Sequence, residues 1–374
     1  MRAAPVTRFT VGPSATEPPE ARGTARDGIR LMVAADGHPV RHRRFPDLPA
    51  ALSEGDLVVV NTSDTEPAAV PGRRVDGRPV LLHVSGPARP APTSSAGGSH
   101  AAPAASGTLV ELRTPDGHRV ADAVAGETLS LPAGVVATLS AGYPDAGVRT
   151  GSRLWRAAIP VEGGVRSWLA AVGDPIRYSY VPRRWPLADY RTVFAAPVPG
   201  EFGSAEMPSA GRPFTTAVLD GLRARGIGVA EIVLHTGVSS PEADEVPLPE
   251  RYRVPAATAA AVAAARARGG RVVAVGTTVT RALETAADPD GTVRAARGWT
   301  DLVLGPDHPA RIVDGLVTGW HEPGASHLLL LEAVAGAELV GRAYAAADER
   351  DYRWHEFGDS CLLLPSRTVT RRAR

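Results

Sequence analysis

The chain is 374 residues long, enough for about two domains, and its 44% hydrophobic and 22% charged residues are typical of a globular protein. All 41 basic residues are arginines and Cys361 is the single cysteine, which excludes a Schiff-base or phosphate-loop lysine, a disulfide within the chain and multi-cysteine metal sites. The net charge of +1 does not by itself indicate a nucleic-acid binder. The lack of an apolar run of about 18 residues predicts no membrane span, and the lack of a secretory signal pattern predicts a cytoplasmic protein. We expect a monomer or a small homo-oligomer.

The first 66 residues contain short hydrophobic segments separated by turn-forming residues. Residues 30–34 and 57–60 predict two strands, of which the second is fully buried, and residues 36–37 predict a tight turn. Residues 46–52 predict a short helix between the two strands.

Residues 67–171 have the composition of a small β domain. Short β-like runs separated by glycine, proline and aspartate turns predict an all-β barrel or sandwich; they are residues 79–84, 108–113, 128–131, 135–140 and 154–159. Residues 85–107 consist almost entirely of alanine, proline, serine and glycine, and we expect them to form a disordered hairpin loop.

After residue 199, strands and helices alternate. The predicted strands are residues 230–234, 271–275, 301–304, 315–318 and 360–364, and the predicted helices are residues 217–225, 256–268, 279–287, 326–335 and 338–350. This alternation is typical of a layered α/β domain. We therefore predict a mixed α/β (α+β) main domain formed by residues 1–66 and 172–374, interrupted by the small all-β domain of residues 67–171.

The first candidate site follows the buried strand at residues 271–275, where Gly276, Thr277 and Thr278 turn directly into a helix. Glycine allows close approach of the backbone to a ligand, and the hydroxyls and free amides of a helix start bind oxygen or anionic groups. The alternative is helix capping, with Thr278 as the N-cap and Arg281 and Glu284 as a surface ion pair.

Two more candidate turns combine glycine with functional side chains. His235 and Gly237 follow a predicted strand, at the edge where α/β sheets bind ligands. Trp320 and His321 lie on a loop restrained by glycine and proline, which can stack a base and position a general base. The alternatives are a structural histidine at position 235 and an ordinary turn that anchors Trp320 in the core.

The remaining candidates are an aromatic segment and an arginine pair. Residues 352–359, which end at Asp359, are dense in aromatic and titratable groups, although a lid that packs the C-terminal segment would have the same composition. Arg183 and Arg184 lie beside Trp185, a combination that suits phosphate binding with base stacking or, alternatively, a solvated surface. No metal-ligand spacing is present in the sequence, so we predict no metal.

Six segments occur in the same order and at matching separations as in a known enzyme family. They are residues 45–49 (FPDLP), 55–62 (GDLVVVNT), 271–278 (RVVAVGTT), 281–284 (RALE), 313–318 (VDGLVT) and 352–359 (YR followed by GD). Together they resemble the S-adenosylmethionine:tRNA ribosyltransferase-isomerase family, over about residues 27–364. The resemblance implies a larger α/β domain interrupted by a small β-barrel, in agreement with the boundaries drawn from composition.

The resemblance also implies a reaction. S-adenosylmethionine would be a co-substrate that donates its ribosyl group to the amine of a 7-aminomethyl-7-deazaguanine base in tRNA, and the ribosyl carbons would rearrange to an epoxycyclopentane as adenine and methionine leave, a step of queuosine formation. The implied substrate-binding residues are Asn61, Gly237, Gly276, Thr277, Thr278, Arg281, Glu284 and Trp320. The candidates for proton transfer or orientation are His235, His321 and Asp359, and those for RNA binding are Arg183 and Arg184.

Five segments depart from the family pattern, at residues 176–181, 208–214, 235–241, 245–250 and 319–323, and two of these lose histidines. Pro213 stands where the family has the histidine of P-T-A-G-L-H-F, and residues 245–250 lack both histidines of its H-x-M-H-x-E motif. Because proline cannot do acid–base chemistry, two alternatives stay open. One is a relative that uses S-adenosylmethionine with a small-molecule acceptor or cleaves it, and the other is a noncatalytic RNA-binding protein.

Overall fold

The structure is a computed structural model that describes residues 9–90, 107–239, 247–323 and 325–366. Within these residues the strands form two sheets, one open and one closed into a barrel. In chain order the strands are β1 (Arg30–Ala35), β2 (Arg41–Arg44), β3 (Leu57–Asn61), β4 (Ala69–Arg74), β5 (Pro79–Pro87), β6 (Thr108–Arg113), β7 (Thr128–Ser130), β8 (Val136–Tyr143), β9 (Leu154–Ala158), β10 (Gly228–His235), β11 (Glu250–Val254), β12 (Val272–Val275), β13 (Ala296–Thr300), β14 (Gly315–Thr318) and β15 (Ser360–Leu364).

The open sheet has nine strands in the order β13-β11-β10-β3-β12-β14-β15-β1-β2. Strands β10, β3, β12 and β14 run parallel to one another, so their carboxyl ends meet at one edge of the sheet. Strand β15 is antiparallel to β14 and parallel to β1, and β2, β11 and β13 extend the sheet in antiparallel pairs. The candidate turns found in the sequence come together at the edge formed by the carboxyl ends of β10, β12 and β14.

Helices cover both faces of the open sheet. They are α1 (Leu48–Ala51), α3 (Thr216–Ala224), α4 (Ala256–Ala267), α5 (Thr277–Thr285), α6 (Ser326–Ala335) and α7 (Ala337–Asp348), whereas α2 (Val165–Val172) packs against the barrel. Side chains of α4 to α7 pack on one face with Val59 and Ala274, while α1 and α3 pack on the other with Val58 and Val273. Because both faces are buried, the central strands are continuous hydrophobic runs, which is why the sequence predicts them well. No helix in the described ranges is both long and apolar enough to span a bilayer.

The closed sheet is an antiparallel barrel with the order β4-β5-β6-β9-β8-β7. Its core includes the fully buried Leu82 and Trp155, and α2 packs Trp168 and Leu169 against it. The barrel strands lie between β3 and β10 in the chain, so the predicted fold class, an α/β main part with an inserted small barrel, is confirmed. The domain boundaries at residues 66/67 and 171/172 stay a prediction.

One predicted strand is wrong. Residues 301–304 form no strand, and β13 lies just before them, paired antiparallel with β11. The Thr300 hydroxyl accepts the Leu302 N–H at 3.2 Å in a local turn, and Leu304 packs into the core without joining the sheet. Of the loop predicted at residues 85–107, residues 85–87 belong to β5, and residues 91–106 lie outside the described residues.

Candidate functional site

A cavity of about 320 Å³ lies at the carboxyl ends of β10, β12 and β14. Its walls are the loops after these strands, residues 236–239, 276–278 and 319–323, together with parts of residues 175–180, 205–210 and 355–356. Open α/β sheets bind ligands at this edge, and small-molecule sites typically have volumes of about 300–1,000 Å³. The predicted site residues that line the cavity are Gly237, Gly276, Thr277, Thr278, Arg281, Trp320 and His321.

The turn from β12 into α5 depends on Gly276. Its φ of +89° is in the left-handed region, and a Cβ here would lie 3.3 Å from the Ala210 Cβ, so glycine satisfies both the backbone and the close approach. Gly276 is the N-cap of α5, and its N–H donates to the Val317 carbonyl at 2.8 Å. The alternative in which Thr278 caps the helix is therefore wrong. Thr277 and Thr278 are the first two residues of α5, and both line the cavity.

Asn61 holds this turn in place from the end of β3. Its Nδ2 donates to the Leu234 carbonyl at 2.8 Å, and its Oδ1 accepts the Leu234 N–H at 3.0 Å. The same Nδ2 lies 3.4 Å from the Thr278 hydroxyl. Asn61 is buried behind the cavity wall, so its contacts support a positioning role.

Arg281 and Glu284 are buried, so the alternative of a surface ion pair is wrong. The Arg281 guanidinium donates to the Leu302 carbonyl at 3.1 Å and forms an ion pair with Glu250. Burial raises the pKa of Glu250, although Arg281 opposes this effect. Glu284 accepts the backbone N–H groups of residues 311, 312 and 313 at 2.8–3.0 Å. Both side chains thus hold loops around the cavity, and Arg281 also lines it.

His321 and His327 form a stacked pair in the cavity wall, with ring centroids 4.8 Å apart and planes inclined by 9°. His321 Nε2 lies 3.1 Å from the Thr318 hydroxyl, and the His321 N–H donates to the Tyr344 hydroxyl at 3.1 Å. Burial lowers the pKa of His321 well below its ordinary value and that of His327 to about 4. Both imidazoles are therefore neutral near pH 7. Sequence analysis missed His327 because it lies in the first turn of α6, where the pattern indicates only a helix.

Histidine pairs also raise the question of a metal. Within the described ranges, no group of three or more histidine, cysteine, aspartate or glutamate side chains is arranged to hold a metal ion.

Trp320 satisfies both sequence interpretations. Its side chain packs in the core, with its ring edge-on to Tyr344 and Tyr352 at centroid distances of 5.0 and 5.6 Å, and it also lines the cavity. Its Nε1 is buried and has no hydrogen-bond partner among the described residues. Buried indole N–H groups normally have an acceptor, so this N–H is an unsatisfied donor in a residue that lines the cavity.

His235 does not line the cavity, and both of its ring nitrogens are engaged. Nδ1 lies 2.8 Å from the Ser63 hydroxyl, and Nε2 lies 2.9 Å from Glu201 Oε2. Burial lowers the pKa of His235, although the bond to Glu201 opposes this effect. These contacts favour the structural interpretation of His235. Gly237 does line the cavity, and a Cβ there would lie 2.7 Å from the Ser85 hydroxyl oxygen.

Asp359 also lies outside this cavity and is engaged by protein donors. Its carboxylate accepts the backbone N–H groups of Arg30 and Arg353, each at 2.8 Å. It also pairs with the Arg30 guanidinium at 2.8 and 3.0 Å. These contacts hold the loop of residues 353–359, so they favour a positioning role over direct proton transfer.

One wall of the cavity, which we call the acidic wall, consists of Tyr178, Tyr180, Glu206, His355 and Glu356. The sequence did not indicate these residues as a group. The Tyr180 and His355 rings stack with centroids 3.7 Å apart, and the Tyr180 hydroxyl donates to Glu356 Oε1 at 2.7 Å. Glu206 binds the Tyr178 hydroxyl and accepts the Ser239 N–H at 2.7 Å. Burial raises the pKa of Glu206 and raises that of Glu356 to about 7.

The signals for these residues were uneven. His355 and Glu356 belong to the dense segment of residues 352–359, which the sequence did mark, whereas Glu206 has no local signal.

The predicted RNA contacts are exposed and do not line the cavity. The Arg183 guanidinium lies 4.9 Å from the centre of the Trp185 ring, and Arg184 pairs with Asp174 at 2.7 Å. An exposed arginine on an aromatic ring is compatible with RNA binding, which stays a prediction.

The fold and the cavity define a class of protein: an α/β protein with an inserted β-barrel and a small-molecule site at the carboxyl edge of its parallel strands. A family model described as queuosine biosynthesis protein matches residues 11–363. The chain therefore belongs to the queuosine biosynthesis protein family.

Full-length relatives share one name. The S-adenosylmethionine:tRNA ribosyltransferase-isomerase of Acidiphilium cryptum is 37% identical over 364 residues, which covers 93% of this chain and 95% of the relative. The protein of that name from Symbiobacterium thermophilum is 35% identical over 356 residues, with coverages of 91% and 94%. A crystal structure of an S-adenosylmethionine tRNA ribosyltransferase from Thermotoga maritima is 27% identical and aligns with a TM-score of 0.49 over 95% of this chain and 99% of that one. The relatives confirm the family resemblance found in the sequence and the prediction of an enzyme.

Proposed function

We propose that this chain transfers the ribosyl group of S-adenosylmethionine to tRNA and isomerises it, as the names of its relatives describe, and that the acceptor is the amine of a 7-aminomethyl-7-deazaguanine base, as the family resemblance implies. One observation carries the proposal. Residues 276–278 and 281, which the family resemblance assigns to the donor, line a cavity of small-molecule size in a chain that matches the family along its length.

The cavity wall offers matching groups for each part of the donor. The start of α5, with the Thr277 and Thr278 hydroxyls, suits the methionine carboxylate, because backbone N–H groups and the helix dipole favour an anion there. The Trp320 Nε1–H is a donor for a ring nitrogen of adenine. Among the described residues of the wall, glutamates outnumber arginines, which favours the positively charged sulfonium.

His321 is the group we propose as the base for the acidic hydrogen beside the sulfonium. It lines the cavity, is neutral at pH 7 because burial lowers its pKa, and lies within hydrogen-bond distance of Thr318. General-base catalysis needs a proton acceptor at the reacting atom, and a neutral imidazole supplies it. We expect His321→Gln to abolish adenine release while the calorimetric affinity for S-adenosylmethionine changes little.

The proposal is tested by incubating the protein with S-adenosylmethionine and an anticodon stem-loop RNA that carries 7-aminomethyl-7-deazaguanine at the wobble position. We expect adenine and methionine release only with this RNA, together with a gain in RNA mass, and neither with the same RNA carrying guanine. Adenine release that ignores the RNA would indicate a small-molecule acceptor or cleavage of the donor. No heat and no thermal shift with millimolar S-adenosylmethionine would leave a noncatalytic RNA-binding protein.

A further inference from the structure

One carboxylate oxygen in the acidic wall lacks a partner. Glu356 lines the cavity, and its Oε2 is buried with no hydrogen-bond partner among the described residues. A buried charged oxygen without a donor costs free energy, so native proteins nearly always supply one. The donor missing from the protein points to a ligand.

The Glu356 side chain is held in place by its neighbours. Its Oε1 accepts the Tyr180 hydroxyl at 2.7 Å, and the Tyr180 ring stacks on His355 with planes inclined by 10°. The backbone of His355 has a φ of +71°, a strained conformation for a side-chain-bearing residue. Strain of this kind persists where the surrounding contacts demand one geometry. The two contacts and the backbone therefore fix the carboxylate and leave Oε2 as its free position.

Two other carboxylates that line the cavity, those of Glu206 and Glu250, are already engaged. Both oxygens of Glu206 are bonded, since Oε1 accepts the Tyr178 hydroxyl and the Ser239 N–H, and Oε2 accepts the Ser239 hydroxyl at 2.5 Å. Glu250 pairs with Arg281. Glu356 thus presents a single free acceptor, which suits one N–H of a cation better than the paired donors of a purine edge.

We propose that Glu356 Oε2 binds the primary ammonium of the acceptor and removes one of its protons, which makes Glu356 a further catalytic residue. The inference rests on the proposed function in one respect, namely that the acceptor carries a primary amine. Tyr180 and His355 act as positioning residues that hold the carboxylate.

The step balances without any other reactant. One N–H bond of the ammonium breaks, its electron pair remains on nitrogen, and the proton moves to Oε2, which gives a neutral amine and a neutral carboxylic acid. The neutral amine has the lone pair that a nucleophile needs, whereas the ammonium has none. The acid then returns the proton to solvent when the product leaves.

The surroundings of Glu356 set the pH range of this step. The titratable groups around it are Tyr178, Tyr180, Tyr190, Glu206 and His355. Burial raises the pKa of Glu356 to about 7, with a smaller contribution from the nearby Glu206 and opposition from the Tyr180 bond. The carboxylate is therefore charged above about pH 7 and loses its charge as the pH falls below that value.

Binding of two free bases tests the inference without turnover. We would measure calorimetric affinities for 7-aminomethyl-7-deazaguanine and for 7-methyl-7-deazaguanine, which lacks the amine, with the wild-type protein, Glu356→Gln and the exposed control Glu338→Gln. We expect the wild type and Glu338→Gln to prefer the amine by about tenfold or more, and Glu356→Gln to lose that preference while it binds the methyl compound unchanged. Equal binding of the amine by the wild type and Glu356→Gln, or no amine binding at all, would overturn the inference.

Two further measurements cover a variant that does not fold and separate this inference from the proposed function. In the wild type alone, the amine preference should decline as the pH falls from 8 to 6, and a preference independent of pH would contradict the role of Glu356. In the RNA assay, Glu356→Gln should lower kcat/KM for the RNA by about 100-fold, and the loss should shrink as rising pH deprotonates the amine in solution. If the amine preference depends on Glu356 but the RNA assay shows no turnover, the inference is supported and the proposed function fails. Full turnover by Glu356→Gln would support the proposed function and overturn this inference.

Discussion

The most direct test of how this site is built is the substitution Asp359→Asn. Asn has the same shape as Asp but lacks the charge and turns one acceptor oxygen into an NH2 donor. If Asp359 were a proton-transfer group, the change would stop turnover and leave the fold intact. In the structure its carboxylate instead joins the start of β1 to the loop of residues 353–359. We therefore expect a loss of stability.

The size of the loss follows from the bonds at each oxygen. Oδ1 accepts the Arg30 N–H, while Oδ2 accepts the Arg353 N–H and two donors of the Arg30 guanidinium. In Asp359→Asn, an NH2 group at the Oδ2 position is itself a donor, so it cannot accept hydrogen bonds from these donors. The Arg30 side chain is 32% exposed, and its guanidinium also donates to the carbonyls of residues 350 and 351. Water and these carbonyls therefore compensate for part of the lost hydrogen bonding. One lost charge-assisted bond and one stranded N–H together lower the free energy of unfolding by about 2–4 kcal/mol.

Urea unfolding, followed by tryptophan fluorescence, measures this difference against the exposed control Asp348→Asn, which we expect to change the free energy by less than about 0.5 kcal/mol. Because the same loop carries His355 and Glu356, the amine preference should weaken in Asp359→Asn even where the protein is still folded. Unfolding curves identical to wild type, together with loss of turnover, would refute the positioning role and restore Asp359 as a catalytic candidate.

Three other predictions concern the donor turn, the RNA contact and the barrel. Gly276→Ala should cost about 1–2 kcal/mol of stability and weaken calorimetric binding of S-adenosylmethionine. At Gly269, which also has a positive φ (+78°), an added Cβ would meet no atom within 4 Å, so Gly269→Ala should cost only stability; equal affinities in both variants would contradict this. Replacing Arg183 and Arg184 together by alanine should flatten the salt dependence of tRNA binding by about one to two units of slope and leave donor binding unchanged, and an unaltered slope would remove them from the RNA interface. Burial alone would raise the pKa of Glu111, but its hydrogen bonds and neighbouring guanidinium groups lower this pKa to about 2. The contribution of Glu111 to stability is therefore present above its ordinary pKa of 4.5 and is lost as the pH falls from 4.5 to about 2. Acid titration of the fluorescence should accordingly show a weaker dependence in this range for Glu111→Gln, and a curve parallel to the wild type would argue against the low pKa.

Sequence patterns predict the central sheet well because its signal is local. Strands β3, β12 and β15 are short apolar runs, and they are apolar because parallel strands bury both faces. Strands β11 and β13 carry several exposed or half-buried residues and are defined by their antiparallel pairing, so the prediction of a strand at residues 301–304, which has three apolar residues after Asp301, was wrong. Pairing between segments over 40 residues apart leaves no local pattern to read.

For the site too, local sequence patterns predict some features, whereas features that depend on distant residues are not predicted. The strand-end rule placed Gly276, Thr277 and His321 correctly at one cavity, because chain order and parallel pairing bring strand ends together. It did not distinguish His321 from His235, since that difference depends on Ser63 and Glu201, which engage both nitrogens of His235. Whether a polar side chain is already satisfied is a property of the folded chain alone.

That distinction bears on the segments where this chain departs from its family. Pro213, at the position of one family histidine, does not line the cavity. Within residues 247–250, Glu250 is in the wall but pairs with Arg281, which removes it from proton transfer. Two groups of the wall that we propose for proton transfer are His321 and Glu356, contributed by the loop after β14 and the loop before β15. A reaction with one proton leaving the donor and another leaving the acceptor needs two such groups, and the loops beside the adjacent strands β14 and β15 place both in the wall of one cavity.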